Sequence, residues 1–316
     1  MAQAPPNIST GMPAQAPPNI STGMPNISST DDPSGPLVYV SSDEFAAART
    51  SLSLRPEGTV RVATYNVWFD RQEMSERLVL LVRLLLREAP DWIGLQEVTP
   101  RVEDALRSSA ALCELYDICP YGVERYGCLI LARRTLHAQF GEVELPSMMG
   151  RSLLLAWSGT LTFATVHLES LNNAATRRAQ LEEAAKALAS RGEPIQILCG
   201  DFNFDSEQEW GDWRAGSRRR SAELENSCLA VLLPQFVDAW PALHPNERGI
   251  TFDGSRNPYV RDSKELMRYD RVMVCGAELI RATLLGHDHE PQDVYSRETV
   301  TPSDHYGVCV DVGLIS

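Results

Sequence analysis

Asp201 and Asn203, two residues apart at the end of an apolar run, are the side chains here whose types and spacing point most directly to chemistry. The run Ile195-Gln196-Ile197-Leu198-Cys199 reads as a buried strand, and Gly200 permits a sharp turn at its end. In extended chain, residues i and i+2 point to the same side, which aims Asp201 and Asn203 at one point. A carboxylate there can ligate a hard metal ion or take a proton from water. A carboxamide can hold an oxyanion or a water without adding charge. The same residues also fit a strand followed by an Asx-type turn.

Other polar side chains share this placement. Asn66 ends a strand-like stretch, 60–68, on the row formed by Val60, Val62 and Thr64. Glu97 ends the hydrophobic stretch 91–98, where a carboxylate needs a partner, a metal ion or a helix N-terminus. His167 ends 161–167, Asp270 opens 268–274, and Asp304-His305 precedes a final strand over 308–314. Each alone fits a satisfied structural residue. Together, seven strand-end groups (Asn66, Glu97, His167, Asp201, Asn203, Asp270 and His305) can converge on one mouth. They comprise oxygen ligands suited to Mg²⁺ or Mn²⁺, a water-positioning Asp–Asn pair and two imidazoles. No Ser-centred elbow or phosphate-cradling Gly loop is present. Metal-assisted phosphoester hydrolysis fits these parts.

The elements that must position them are legible. Residues 73–88 carry apolar residues at helical spacing and stop at Ala89-Pro90. Thr99-Pro100 marks a helix start. Four strand-like runs, 126–132, 136–145, 152–157 and 161–167, read as a meander and hence an antiparallel sheet, with Ser158-Gly159 as a hairpin turn. Residues 173–190 form an Ala-rich helix closed by Gly192. The irregular segment 205–226 carries Trp210, Trp213 and Arg218-Arg219-Arg220. It suits either a phosphate-chain groove or a solvated loop. Short pieces are expected at 237–240 and 250–253, and His287-Asp288-His289 reads as surface loop.

Bulk properties narrow the function. A net charge of −13 excludes non-specific coating of nucleic acid but not action on one terminal phosphate. Seven cysteines without Cys-x-x-Cys pairs predict neither a disulfide framework nor a structural zinc site. No apolar run has membrane-spanning length and no secretory signal is legible, so a nuclear or cytoplasmic location is expected. Residues 2–13, AQAPPNISTGMP, recur unchanged at 14–25. Residues 1–35 are expected to be a disordered low-complexity tail, and 36–316 a single catalytic domain.

Tyr65-Asn66-Val67, Leu95-Gln96-Glu97-Val98, Thr165-Val166-His167-Leu168-Glu169-Ser170, Gly200-Asp201-Phe202-Asn203, Tyr269-Asp270-Arg271 and Ser303-Asp304-His305 together resemble the ordered motifs of the endonuclease/exonuclease/phosphatase superfamily. The resemblance implies an α/β four-layer sandwich: two packed mixed β-sheets flanked by helices. A narrower likeness is to the tyrosyl-DNA phosphodiesterase 2 family. It is carried by Met148-Met149-Gly150-Arg151, His167-Leu168-Glu169-Ser170, Val237-Asp238-Ala239-Trp240 and Pro302-Ser303-Asp304-His305-Tyr306-Gly307. This chain departs from that family in three places. Phe252 stands where Trp is common, Leu171-Asn172-Asn173 lacks the usual Arg, for which Arg177 or Arg178 can substitute, and the 205–226 segment is longer.

The resemblance implies Mg²⁺, replaceable by Mn²⁺, held by Glu97 with Asn66, and Asp304 as a further candidate. Asp201 is the implied base, with Asn203, His167, His305 and Asp270 completing the catalytic set. Arg151, Ser170, Arg177, Arg178 and Phe252 are implied substrate contacts. The implied substrate is DNA with a 5′-blocked end, single-stranded at its terminus and carrying a topoisomerase-derived tyrosyl peptide, met by a monomer. An abasic-site endonuclease, an RNA exonuclease, a lipid-phosphate hydrolase and a non-catalytic module remain alternatives.

Overall fold

Two parallel strand pairs, each rich in β-branched and aliphatic residues, form the centres of two sheets. The computed structural model describes residues 55–215, 224–287 and 300–314. The expectations for the tail 1–35, the start of order at 36, Arg218 to Arg220, Asp288 and His289 lie outside these residues.

In the first sheet, β1 (Thr59–Asn66) reaches its parallel neighbour β2 (Trp92–Val98) through helix α1 (Met74–Glu88). Helices α2 (Pro100–Ser108) and α3 (Ala110–Leu115) lead to β3 (Tyr116–Ile118) and β4 (Gly127–Arg133). As expected, Thr99 caps α2: its Oγ1 accepts from the Val102 N–H at 3.4 Å, with Pro100 in the first turn. The second sheet begins with β5 (Gln139–Glu144), β6 (Ser152–Ser158) and β7 (Leu161–His167), an antiparallel meander. Helix α4 (Ala174–Arg191), closed by Gly192 at φ 74°, returns the chain to β8 (Ile195–Asp201), parallel to β7.

Short elements follow: α5 (Asp212–Ala215), α6 (Cys228–Leu232), β9 (Val237–Asp238) and α7 (Ala239–Leu243). A two-stranded hairpin pairs β10 (Phe252–Asp253) with β11 (Leu266–Met267). β12 (Asp270–Cys275), β13 (Glu278–Leu285) and β14 (Gly307–Gly313) complete the two sheets. Their strand orders are β13-β14-β1-β2-β4-β3 and β5-β6-β7-β8-β12-β9. Both are mixed, as expected. One expectation needs correction: the four runs between 126 and 167 do not make one meander. β4 pairs with β2 in the first sheet, and only β5 to β7 meander in the second. Strand patterning alone does not say which sheet a run joins.

The sheets pack face to face. Trp92 stacks on Phe163 across them, with ring centroids 5.7 Å apart. Gly94 lets them approach closely: a Cβ there would lie 2.6 Å from Thr165 Oγ1. Leu78, Leu81 and Leu85 of α1 belong to this main core. On the outer face of the second sheet, Leu181, Ala184 and Leu188 of α4 pack on Leu153, Leu155, Val166 and Leu198. Among the described residues, no helix is long and apolar enough to cross a membrane.

Candidate active site

The C-terminal ends of the parallel strands β1, β2, β7 and β8 lie together, and the predicted residues gather there. Asp201 is the centre. It is buried, pairs across the sheet with His167 on one side and Asp270 on the other, and so has neighbours fixed by strand register. Asn66, from the other sheet, donates its Nδ2–H to Asp201 Oδ2 at 3.0 Å and accepts the Trp68 N–H at 3.0 Å. His167 Nε2 lies 3.5 Å and His305 Nε2 3.9 Å from the same Oδ2.

The two imidazoles carry different charge. Arg151 Nη1 sits 2.9 Å from His167 Nδ1, and since a guanidinium only donates, Nδ1 accepts and the proton sits on Nε2, facing Asp201. Burial, then the Arg151 and His305 charges, push the His167 pKa well below its ordinary value, so this ring is neutral. His305 is the reverse. Burial opposes its charge, but Asp270, bonded to Nδ1 at 2.7 Å, and the Asp304 and Asp201 carboxylates raise its pKa well above the ordinary value. It is an imidazolium presenting Nε2–H to the site.

Glu97 lies at an irregularity in β2, where register with β4 shifts between Leu95 and Val98, and its φ is 58°. A bulge of this kind re-aims a side chain. Glu97 Oε2 accepts the Phe69 N–H at 3.1 Å, and Oε1 stands 3.9 Å from His167 Nε2. Below these groups, Gln96 Nε2 donates to Thr64 Oγ1 at 3.0 Å and Thr165 Oγ1 at 2.9 Å, joining the sheets under the site. The sequence marked Gln96 only as the neighbour of Glu97, and nothing in the pattern identified this polar floor.

The donor set fits a hard divalent cation. Asp201, Asp270 and His305 offer ligand atoms within 4.8 Å of one another. Asp270 Oδ1 is buried without a hydrogen-bond partner. Burial lifts Asp201 to about 6, against the attraction of His305 and with a smaller push from Asp270; burial likewise lifts Asp304 to about 7, against His305 and with a smaller push from Glu97. A cation relieves such crowding. Because His305 is protonated and bonded to Asp270, the oxygen donors suit an ion better than its imidazole does.

Several expected residues behave differently. Asn203 adopts φ 56° instead of extending the strand, so the i, i+2 alignment with Asp201 does not hold. Its N–H bonds Asp201 Oδ1 at 2.9 Å and its Nδ2 donates to Leu168 O at 3.0 Å, the Asx-turn alternative. Arg177, expected at the substrate, is fully buried. It pairs with Glu225 through two 2.7 Å bonds and donates to Glu169 O and Leu171 O. That engagement makes it a brace for the 168–173 loop. Arg178 is exposed on α4 and pairs with Glu182. Arg151 and Ser170 do adjoin the site: Arg151 Nη2 donates to Ser170 Oγ at 3.0 Å, and its guanidinium lies 4.8 Å from the Tyr126 ring. Phe252 packs edge-on to His305 at 4.8 Å. Tyr126, which the sequence marks only as the start of a strand run, lies edge-on to His167 at 5.9 Å. His287 lies 2.9 Å from Arg256 Nη1 through Nε2 and packs on Tyr306.

A family model described as Endonuclease/Exonuclease/phosphatase family matches residues 63–305. The chain belongs to that family. Its fold recurs in solved structures. D. rerio TDP2, crystallised with a single strand DNA product, has a TM-score of 0.63 and 21% identity, covering 81% of this chain and 100% of that one. Truncated Caenorhabditis elegans TDP2 gives 0.63 and 21%, covering 81% and 97%. The human Nocturnin catalytic domain gives 0.58 and 17%, covering 83% and 95%. No curated protein matches. As an endonuclease/exonuclease/phosphatase member, the chain has a hydrolase fold whose members generally use divalent metals, and the carboxylate oxygens of the Asp201–Asp270–His305 group are candidate donors for one.

Proposed function

We propose that this chain is a Mg²⁺-dependent phosphodiesterase that hydrolyses the 5′-phosphotyrosyl bond between a DNA end and a trapped topoisomerase peptide, leaving a 5′-phosphate. The observation that carries the reading is Asp201, buried between a neutral imidazole at 3.5 Å and a charged one at 3.9 Å. A carboxylate near 6 is ionised at neutral pH yet basic enough to take a proton from an attacking water. Asn66 holds its Oδ2 in place. His305, fixed by Asp270, and His167, fixed by Arg151, each turn an Nε2–H toward the space beside Asp201, where negative charge develops on the phosphoryl oxygens.

Glu97, with Asn66 and Asp304 nearby in role, would hold the cation. When bound, a divalent ion polarises the phosphoryl group and offsets its charge. Arg151 beside His167, Ser170 beside Arg151 and Phe252 beside His305 are the proposed substrate contacts. A tyrosyl leaving group has a pKa near ~10 and needs little acid assistance. The single strand DNA product bound to D. rerio TDP2 supports a DNA end as ligand. The protein is expected to act as a monomer in the nucleus or cytoplasm.

The test incubates the protein and Mg²⁺ with a short DNA bearing a 5′-phosphotyrosine, beside Asp201→Asn and an abasic-site duplex. Release of a 5′-phosphate end by the parent, reduced at least about a thousandfold in the variant, is expected. Cleavage of the abasic duplex alone, or comparable turnover by Asp201→Asn, would discard the assignment.

A further inference from the structure

The long segment after β8 is not a solvated loop throughout. It packs Trp213, buried, and Trp210, half-buried, against the β10–β11 hairpin, where they join Met267, Tyr269 and Phe252 in one hydrophobic, largely aromatic cluster. The cluster begins at the catalytic imidazole. Phe252 lies 4.8 Å and Tyr269 6.2 Å from His305, and Phe252 lies 5.6 Å from Tyr269. At its far end, Trp210 and Trp213 meet edge to face at 5.7 Å. The exposed Arg214 sits 5.2 Å and 5.3 Å from their rings.

Internal bonds fix this arrangement. Trp213 Nε1 donates to Asp262 Oδ2 at 3.2 Å, and Gln208 Nε2 donates to Leu266 O at 2.7 Å. The nearby carboxylates have internal donors: Asp262 also takes the Lys264 N–H, Asp212 the Glu209 N–H, and Glu265 the Tyr269 hydroxyl. What remains accessible is a partly exposed indole beside an exposed guanidinium, continuous with the reacting centre. Sequence-tolerant binding of single strands uses these parts: aromatic faces for bases and a cation for the backbone.

We propose that Trp210, with Arg214 at the outer end, extends the substrate contact already expected at Phe252 into a stacking track for the single-stranded nucleic acid segment that runs on from the reacting phosphate. This rests on the phosphodiesterase reading and adds to it a binding surface in the 205–215 segment. Trp213, Tyr269 and Met267 support the track from beneath.

The test measures binding of 3′-fluorescein oligothymidylates bearing a 5′-phosphate, two and eight nucleotides long, by anisotropy in EDTA. In the parent the longer strand is expected to bind at least about tenfold more tightly. Trp210→Ala should remove most of that ratio, while Trp210→Phe keeps it. Arg214→Gln should lower the slope of log affinity against log salt by about 0.7. Thermal unfolding checks that each variant is folded, and the Phe and Gln variants suffice if the Ala variant is not. No length gain in the parent, an unchanged ratio in Trp210→Ala, or equal loss in the Phe and Ala variants would overturn the track. Release of p-nitrophenol from thymidine 5′-(p-nitrophenyl phosphate) by the parent separately tests the phosphodiesterase reading, so the two can fail apart.

Discussion

Asp201 is held where an ionised carboxylate is costly, and stability should report this. Its folded pKa, about 6, exceeds the ordinary carboxylate value of ~3.9. A group raised in this way contributes stability below its unfolded pKa and loses that contribution as pH rises through the folded value. The metal-free protein should therefore lose stability between about pH 4 and pH 6 through this residue. Asp201→Asn cannot acquire the charge, so at pH 7.5 in EDTA it should be more stable than the parent by roughly 2–3 kcal/mol. Near pH 4 the difference should vanish. Urea unfolding at both pH values checks this, and an equal or lower midpoint for the variant at pH 7.5 would contradict it. The types of Asn66, Glu97, His167, Asp201, Asp270 and His305 were legible because each closes or opens an apolar run. Their charge states were not. A neutral His167 and a cationic His305 depend on Arg151 and Asp270, which are remote in sequence and adjacent only after folding.

At the level of elements, periodicity identified helices α1 and α4 and the central strands, while pairing partners stayed hidden. β4 is as apolar as the meander strands that follow it, yet its hydrogen bonds go to β2. The left-handed backbone of Glu97 and Asn203 was equally invisible, since neither is a glycine. The fit between sheets offers a sharper test. A methyl at Gly94 would meet Thr165 Oγ1 at 2.6 Å, Thr165 Cβ at 2.8 Å and Cys199 Sγ at 3.0 Å. Gly94→Ala should cost about 1–3 kcal/mol. It should also lower kcat, because Thr165 and Gln96 share the polar floor that joins the two sides of the site. Denaturant unfolding together with turnover measures both effects, and a variant with parental stability would show that the sheets separate easily.

Across the whole molecule, the two sheets divide the chemistry. Asn66 and Glu97 come from the first, His167, Asp201 and Asp270 from the second, and His305 from the approach to β14. A cation bound among these carboxylates would tie the sheets together and counter part of a −13 net charge. Saturating Mg²⁺, at about a hundredfold over its Kd, should stabilise the fold by about 2.7 kcal/mol, raising Tm by about 5–10 °C at pH 7.5. The rise should be smaller at pH 5, where Asp201 and Asp304 are largely protonated. A scan with and without EDTA at each pH measures it, and equal shifts at the two pH values would contradict the linkage. The superfamily was legible at this scale because its motifs recur in order along most of the chain. The length of the 205–226 segment was legible too, but the path of its tryptophans was not, since they pack on a hairpin some 50 residues later. The near contact of Gly94 with Thr165 also bears on how such proteins diversify. With the floor of the site clamped at a backbone-to-hydroxyl distance, substitutions there are answered by both sheets at once. Trp210 and Trp213 pack in a cluster of their own, apart from the core that holds Ile93 and Leu95 on either side of Gly94, so substitutions at these tryptophans should alter what is bound at the rim before they alter the reaction underneath.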